Sequence, residues 1–110
     1  MSLNGIWKIE MLTTYDWESR ATAYLRDGSY WGAGSQHYAT GSYTVDGNKF
    51  LADIEIVNHG KPRTMFGKKV DRYEIASEAE LSGDVFTGVG KDKKGNHVIQ
   101  YRGSRLADLP

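Results

Sequence analysis

The chain has 110 residues, enough for one domain, and its 39% hydrophobic and 25% charged residues exclude a disordered chain. Fourteen basic residues cancel fourteen acidic ones, so the surface as a whole is not built to hold a nucleic-acid backbone, and no direct nucleic-acid partner is expected. Without cysteine there is neither a disulfide framework nor a thiolate zinc site, and no apolar run reaches the ~18 residues of a membrane-spanning helix. A cytoplasmic protein with no membrane partner is the resulting expectation.

Thirteen glycines against two prolines, with seven tyrosines and three tryptophans, is a β-rich composition. In chain order, "NGIWKIEM" alternates Trp7, Ile9 and Met11 with Lys8 and Glu10, as a strand with one buried face does. "WESRATAYLRDG" continues the period through Ala21, Ala23 and Leu25, and Asp27-Gly28 is a hairpin signal, because a two-residue primed turn needs positive φ. A short strand "SYWGAG" leads to "HYATGSYTV", where Tyr43 and Val45 share a face, and Asp46-Gly47 reads as a second hairpin turn of the same type. "KFLADIEIVN" places Phe50, Ala52, Ile54 and Ile56 on one face against Asp53 and Glu55, and this is the clearest strand.

Residues 59–71, "HGKPRTMFGKKVD", lose the alternation; at most one short helix is expected there, with Pro62 opening a single turn and Gly67 ending it. "RYEIASEAEL" turns Tyr73, Ile75, Ser77, Ala79 and Leu81 inward and Glu74, Glu78 and Glu80 outward, and Ser82-Gly83-Asp84 makes the next turn. "VFTGVGKD" and "HVIQYRGSRL" close the chain around Lys93-Lys94-Gly95-Asn96. The segments "TGSYTVDGNKFLADI" and "TGVGKDKKGNHVIQY" resemble one another as two hairpins of one sheet. About eight strands joined by short turns predict an all-β fold, a small antiparallel up-and-down barrel spanning residues 1–110 as one domain.

No nucleophile elbow, zinc-protease motif or phosphate loop occurs, so no enzyme, cofactor or metal is expected. The glycine pairs in "GAGSQH" and "GVGKDK" complete no nucleotide fingerprint and read as bulges or strand ends. His37, His59 and His97 fall on separate segments, where histidines are ordinary surface or cross-strand residues. Two features could carry binding. The first is the barrel interior, where Trp7, Tyr43, Phe50, Tyr73 and Tyr101 are candidate contacts for a small hydrophobic ligand, or else simply fill the core. The second is the irregular segment, where Lys61, Arg63, Lys68 and Lys69 surround Met65 and Phe66 as a lid or partner surface, or as a solvated connection.

The Gly5-x-Trp7 opening resembles the first-strand motif of lipocalins and other calycins. That resemblance implies a basic residue near the end of the last strand packed on the Trp, here Arg102 or Arg105. Over roughly the first sixty residues the chain also resembles the GrlR-like family, small bacterial barrels that include a negative regulator of type III secretion. The shared pattern is the Gly-aromatic first strand, a strand ending at Gly28, the Gly32 and Gly34 pair, and Tyr38-x-x-Gly41-x-Tyr43. This resemblance implies a lipocalin-like barrel, a homodimer, and transcription regulation by protein–protein contact with an activator rather than with DNA. The family regulator carries an acidic run in the hairpin after the Tyr43 strand; here the hairpin reads Asp46-Gly47-Asn48-Lys49, with one acid. Two readings follow: a non-enzymatic bacterial regulator acting through a protein partner, or a small lipocalin-like carrier.

Overall fold

A computed structural model describes residues 2–12, 16–59, 64–65, 68–69, 72–94 and 98–109, the four residues of the two short middle segments by their backbone alone. The strands are β1 (Gly5–Leu12), β2 (Trp17–Arg26), β3 (Ser29–Ala33), β4 (His37–Asp46), β5 (Lys49–Asn58), β6 (Thr64–Met65), β7 (Lys68–Lys69), β8 (Arg72–Ser82), β9 (Val85–Asp92) and β10 (Val98–Ala107). Eight of them close a barrel in the order β1-β10-β9-β8-β5-β4-β3-β2, every neighbouring pair antiparallel. Sheet neighbours are thus chain neighbours once the excursion between β5 and β8 is set aside. Pairing β1 with β10 removes both sheet edges.

That excursion stays within the expectation of at most one short helix. No helix occurs among the described residues; where a turn from Pro62 to Gly67 was allowed, Thr64–Met65 is extended and pairs with Lys68–Lys69. A single helical turn fixes several residues for one hydrogen bond, so a short stretch with a β-branched Thr is more readily held extended. Pro62 and Gly67 lie outside the described residues.

The hairpin turns show how local chemistry sets the register. Asp27 and Gly28 both have positive φ, 49° and 87°, the primed turn that follows the right-handed twist of its strands. The second turn sits one residue later than the sequence suggests: Asp46 pairs with Lys49, and the loop is Gly47-Asn48 with Gly47 at φ 62°. Gly83-Asp84 repeats that arrangement with φ 60° at the glycine. In both, glycine takes the first loop position, which a type II′ turn requires.

Inward positions follow the predicted alternation, most regularly in β8, where Tyr73, Ile75, Ser77 and Ala79 are buried between exposed neighbours. The glycines of "GVGKDK" are not bulges. β9 keeps an unbroken register with both neighbours through Gly88 and Gly90. Gly88 instead lets β9 press onto β8, because a Cβ there would collide with the Glu78 carbonyl and Ala79.

One end of the barrel is filled by large side chains. Trp7, Phe50, Phe86 and Leu25 are fully buried. Their rings form a run, with Tyr43 on Phe50 at 5.5 Å between centroids, Phe50 on Phe86 at 4.4 Å, and Phe86 on Trp7 at 5.0 Å. Such offset pairs add about 0.5–1.5 kcal/mol each beyond burial. The tip of the Phe86 ring, Cζ and both Cε, abuts Gly103 of β10, where any Cβ would collide with it.

A strap of residues 2–4 caps this end. Leu3 is buried, and its carbonyl accepts a hydrogen bond from Trp7 Nε1 at 3.0 Å. Arg105 donates through Nη1 to the Asn4 carbonyl at 2.6 Å, through Nη2 to the Ser2 carbonyl at 3.0 Å, and through Nε to Asp84 at 2.9 Å. Its guanidinium stands 4.8 Å from the Trp7 ring centroid. Of the two arginines open at the sequence level, Arg105 is therefore the partner of Trp7. Arg102 lies outside the barrel, 4.3 Å over the ring of Trp17, and grips Glu10 with Nε at 2.9 Å. That hydrogen bond holds the Glu10 carboxyl below its usual range.

Candidate functional site, the open half of the lumen

Strand direction assigns the two ends. The turns after β2, β4, β8 and β10's last residues lie with the strap, whereas β1, β3, β5 and β9 all run toward the other end. The chain between Asn58 and Arg72 leaves from and returns to that second end. Here small or branched residues take many inward positions, Ala21 on β2, Ala39 on β4, Gly90 on β9 and isoleucines on β5, β8 and β10, beside the larger Tyr73 and Tyr101.

The outcome is a half-open cavity of about 100 Å³. Phe50 and Phe86 make its floor, and Ile54, Ile75 and Ile99 its walls. Met11 and Ile56, further toward the open end, also line it. Gly90 helps keep the space clear, since a Cβ there would press on Ile75 and lie close to Ile99 and Ser77. Ile54 and Ile56 are partly buried rather than fully enclosed, because they face this space.

Five polar side chains share the lining: Arg20, Tyr30, His37, Ser77 and Tyr101. Tyr30 starts near the closed half, but its ring lies over Gly32, whose missing side chain leaves room for it. Burial pushes the Tyr30 phenol well above its ordinary pKa, and the neighbouring Tyr101 phenol adds to this. Burial likewise pushes Tyr101 up to about 12, with the Ser77 hydroxyl pulling slightly the other way. Ser77 is near Tyr101 without meeting hydrogen-bond geometry, and the Tyr101 hydroxyl has no bonding partner. Both phenols are neutral donors at ordinary pH.

Arg20 reaches the lumen through a defect in β2. The β1–β2 register slips between Ile9 and Glu10, where Ile9 faces Ala21 but Glu10 faces Ser19. The additional residue is Arg20, and a bulge of this kind turns two successive side chains to one face. Arg20 and Ala21 both line the cavity. Nη2 of Arg20 meets the rim carboxylate of Glu18 at 3.2 Å, while its Nε is buried without a partner.

Of the interior candidates named from sequence, Phe50 and Tyr101 come together on the cavity. Trp7 and Tyr43 are buried in the filled half, and Tyr73 is buried on the inner face of β8 without lining the space. Lys61, Arg63 and Phe66 lie outside the described residues, as do the side chains of Met65, Lys68 and Lys69. Sequence reasoning missed Arg20, Tyr30 and His37. For His37 the signal existed, since it begins the strand that carries Ala39 and Tyr43 inward at period two. His59 stacks on Tyr38 at 6.1 Å between ring centroids, outside the cavity lining. Among the described residues no three of His, Asp and Glu converge as metal ligands would.

Arg20 can neutralise an anion, the phenols and Ser77 can donate hydrogen bonds, and the isoleucine walls can take up hydrocarbon. Neither a family model nor a curated protein matches this chain.

Proposed function

We propose that the protein is a non-enzymatic binding protein that takes a small, largely apolar molecule into the open half of its barrel. The observation that supports this reading is an apolar cavity of about 100 Å³ carrying buried polar groups without partners. A filled barrel has no use for them, because an unpaired buried donor costs about 1–3 kcal/mol. Apolar cavities enclose single-ring hydrocarbons at about 150 Å³, and the open side of this one lets such a ring enter against its isoleucine walls with its edge at the mouth. Toluene added to ¹⁵N-labelled protein should therefore move the amide resonances of Ile54, Ile75 and Ile99 and leave those of Trp7 and Leu25 in place. Shifts absent from the lumen at saturating toluene would rule the reading out.

A second reading rests on the outer face. Tyr24 and Trp31 are cross-strand partners on β2 and β3, 40% and 47% exposed, and Ile6 of β1 lies beside Tyr24. Exposed neighbouring aromatics are the usual anchors of protein contacts. This patch suits a cytoplasmic regulator of the GrlR-like kind, acting on a transcriptional activator or pairing as a homodimer. Partner capture from the native host with Trp31→Ala beside the unaltered chain tests it. Equal retention by both would exclude this face.

A further inference from the structure

The open half contains two donors that lack acceptors, and they stand on opposite sides of one strand. Arg20 Nε is buried and unpartnered, and a guanidinium nitrogen can only donate. Tyr101 is 7% exposed, and its hydroxyl is also unpartnered. Tyr101 faces Met11 of β1 from one side, and the Arg20 bulge faces Ile9 and Glu10 of β1 from the other. Their backbones are thus two strand spacings apart, about 10 Å, and both side chains line the same cavity.

We propose that the open half binds a small monocarboxylate, its carboxylate on Arg20 and Tyr101 and its branched or single-ring body against Ile54, Ile75 and Ile99. This rests on the reading that the lumen takes up a ligand, and it adds the ligand's chemical class. The charge follows from Arg20: the strand breaks its register to bring a cation inward, and Glu18 holds one terminal nitrogen while Nε stays available. A carboxylate has lone pairs for both donors at once. One charge is the limit, because a second anionic group among isoleucines would be buried without a partner. Size follows from the volume. At about 30 Å³ per water, the cavity of about 100 Å³ matches some three waters and is smaller than the about 150 Å³ that encloses benzene, so a single ring reaches into its open mouth while fused rings do not fit inside.

Benzoate and toluene serve as matched probes, since they share a ring and differ in the carboxylate. Each is titrated calorimetrically into the unaltered protein, Arg20→Met and Tyr101→Phe, with amide shifts locating the site. Benzoate should bind more tightly than toluene and shift Ile54, Ile75 and Ile99. Arg20→Met should weaken benzoate about tenfold or more, as expected for a hydrogen bond to a charged group, and Tyr101→Phe by several-fold. Toluene, which lacks the carboxylate, should lose less affinity than benzoate in both variants, and unmoved amide resonances of Trp7 and Leu25 show that both remain folded. If toluene binds and benzoate binds no better, or benzoate is indifferent to Arg20→Met, the carboxylate assignment is overturned and the lumen reading stands. If neither probe binds in the lumen, both fall.

Discussion

The two ends of this barrel are built by the same alternation and reach different results. At the capped end the inward positions of β1, β2, β5 and β9 carry Trp7, Leu25, Phe50 and Phe86, and all four are fully buried. At the open end the same strands present Met11, Ala21, Ile54, Ile56 and Gly90, and a cavity remains. Polar groups divide in the same way. Trp7 Nε1 and every nitrogen of Arg105 have partners at the capped end, whereas Arg20 Nε and the Tyr101 hydroxyl have none at the other. In a short barrel, period two sets which residues face inward, and their volumes decide whether the inside is core or site. One end is a packed core and the other keeps a cavity.

If that division is real, the largest loss should come from Trp7→Ala. It removes the ring packed against Phe86, the hydrogen bond to the strap and the surface on which Arg105 rests. About 3–5 kcal/mol is expected for a large aromatic removed from a dense site. Urea titration reads it directly, and a loss below about 1 kcal/mol would mean that the capped end is not the structural half.

Ile54→Ala sharpens the comparison from the other side. Ile54 already faces free space, so its removal enlarges a cavity instead of creating one, and few lost contacts add to the transfer term. The cost should sit near about 2 kcal/mol, the lower end for such truncations, and clearly below that of Trp7→Ala. Equal losses at the two sites would erase the distinction between the halves.

These contrasts also explain what the sequence could and could not disclose. The barrel was legible because alternation and turn glycines are local signals: Phe50 to Ile56 against Asp53 and Glu55, and Asp27-Gly28 between two strands. The Trp7–arginine contact was legible down to a choice of two arginines, Arg102 and Arg105, and the register of β1 against β10 chose Arg105. The cavity was not legible. It depends on Phe86 abutting Gly103 and Tyr30 lying over Gly32, contacts across strands that no single strand's pattern contains. Arg20 was hidden for a related reason. Alternation from Ala21, Ala23 and Leu25 points it outward, and only the slipped pairing with β1 turns it in.

The outer aromatics come next in size. Trp17 lies under Arg102 on the outer surface, and Trp31 is nearly half exposed. Trp17→Ala gives up an exposed cation–π contact of about 0.5–1 kcal/mol and some area, and Trp31→Ala should cost less than about 1 kcal/mol. Thermal melts of the three tryptophan variants should rank Trp7 far below the other two. A Trp31→Ala variant that melts like Trp7→Ala would make the outer patch part of the fold rather than a free surface.

The smallest expected effect is the most specific to the open half. Tyr101→Phe removes a buried hydroxyl that has no partner, so at neutral pH the variant should match the parent within about 1 kcal/mol or exceed it. Alkali separates them. Burial raises the folded-state pKa of Tyr101 from the ordinary 10.0 to about 12, so folding favours the protonated phenol. That contribution is fully present below about pH 10 and is lost progressively as the pH rises toward about 12. Tyr30 is shifted in the same direction and remains in the variant, so the variant keeps part of the alkaline loss. Between about pH 8 and pH 11 the parent should therefore lose more stability in urea than Tyr101→Phe does. Parallel losses would mean that the Tyr101 phenol meets water in the folded state, and the open half would then be a wet mouth rather than a site with donors held in reserve.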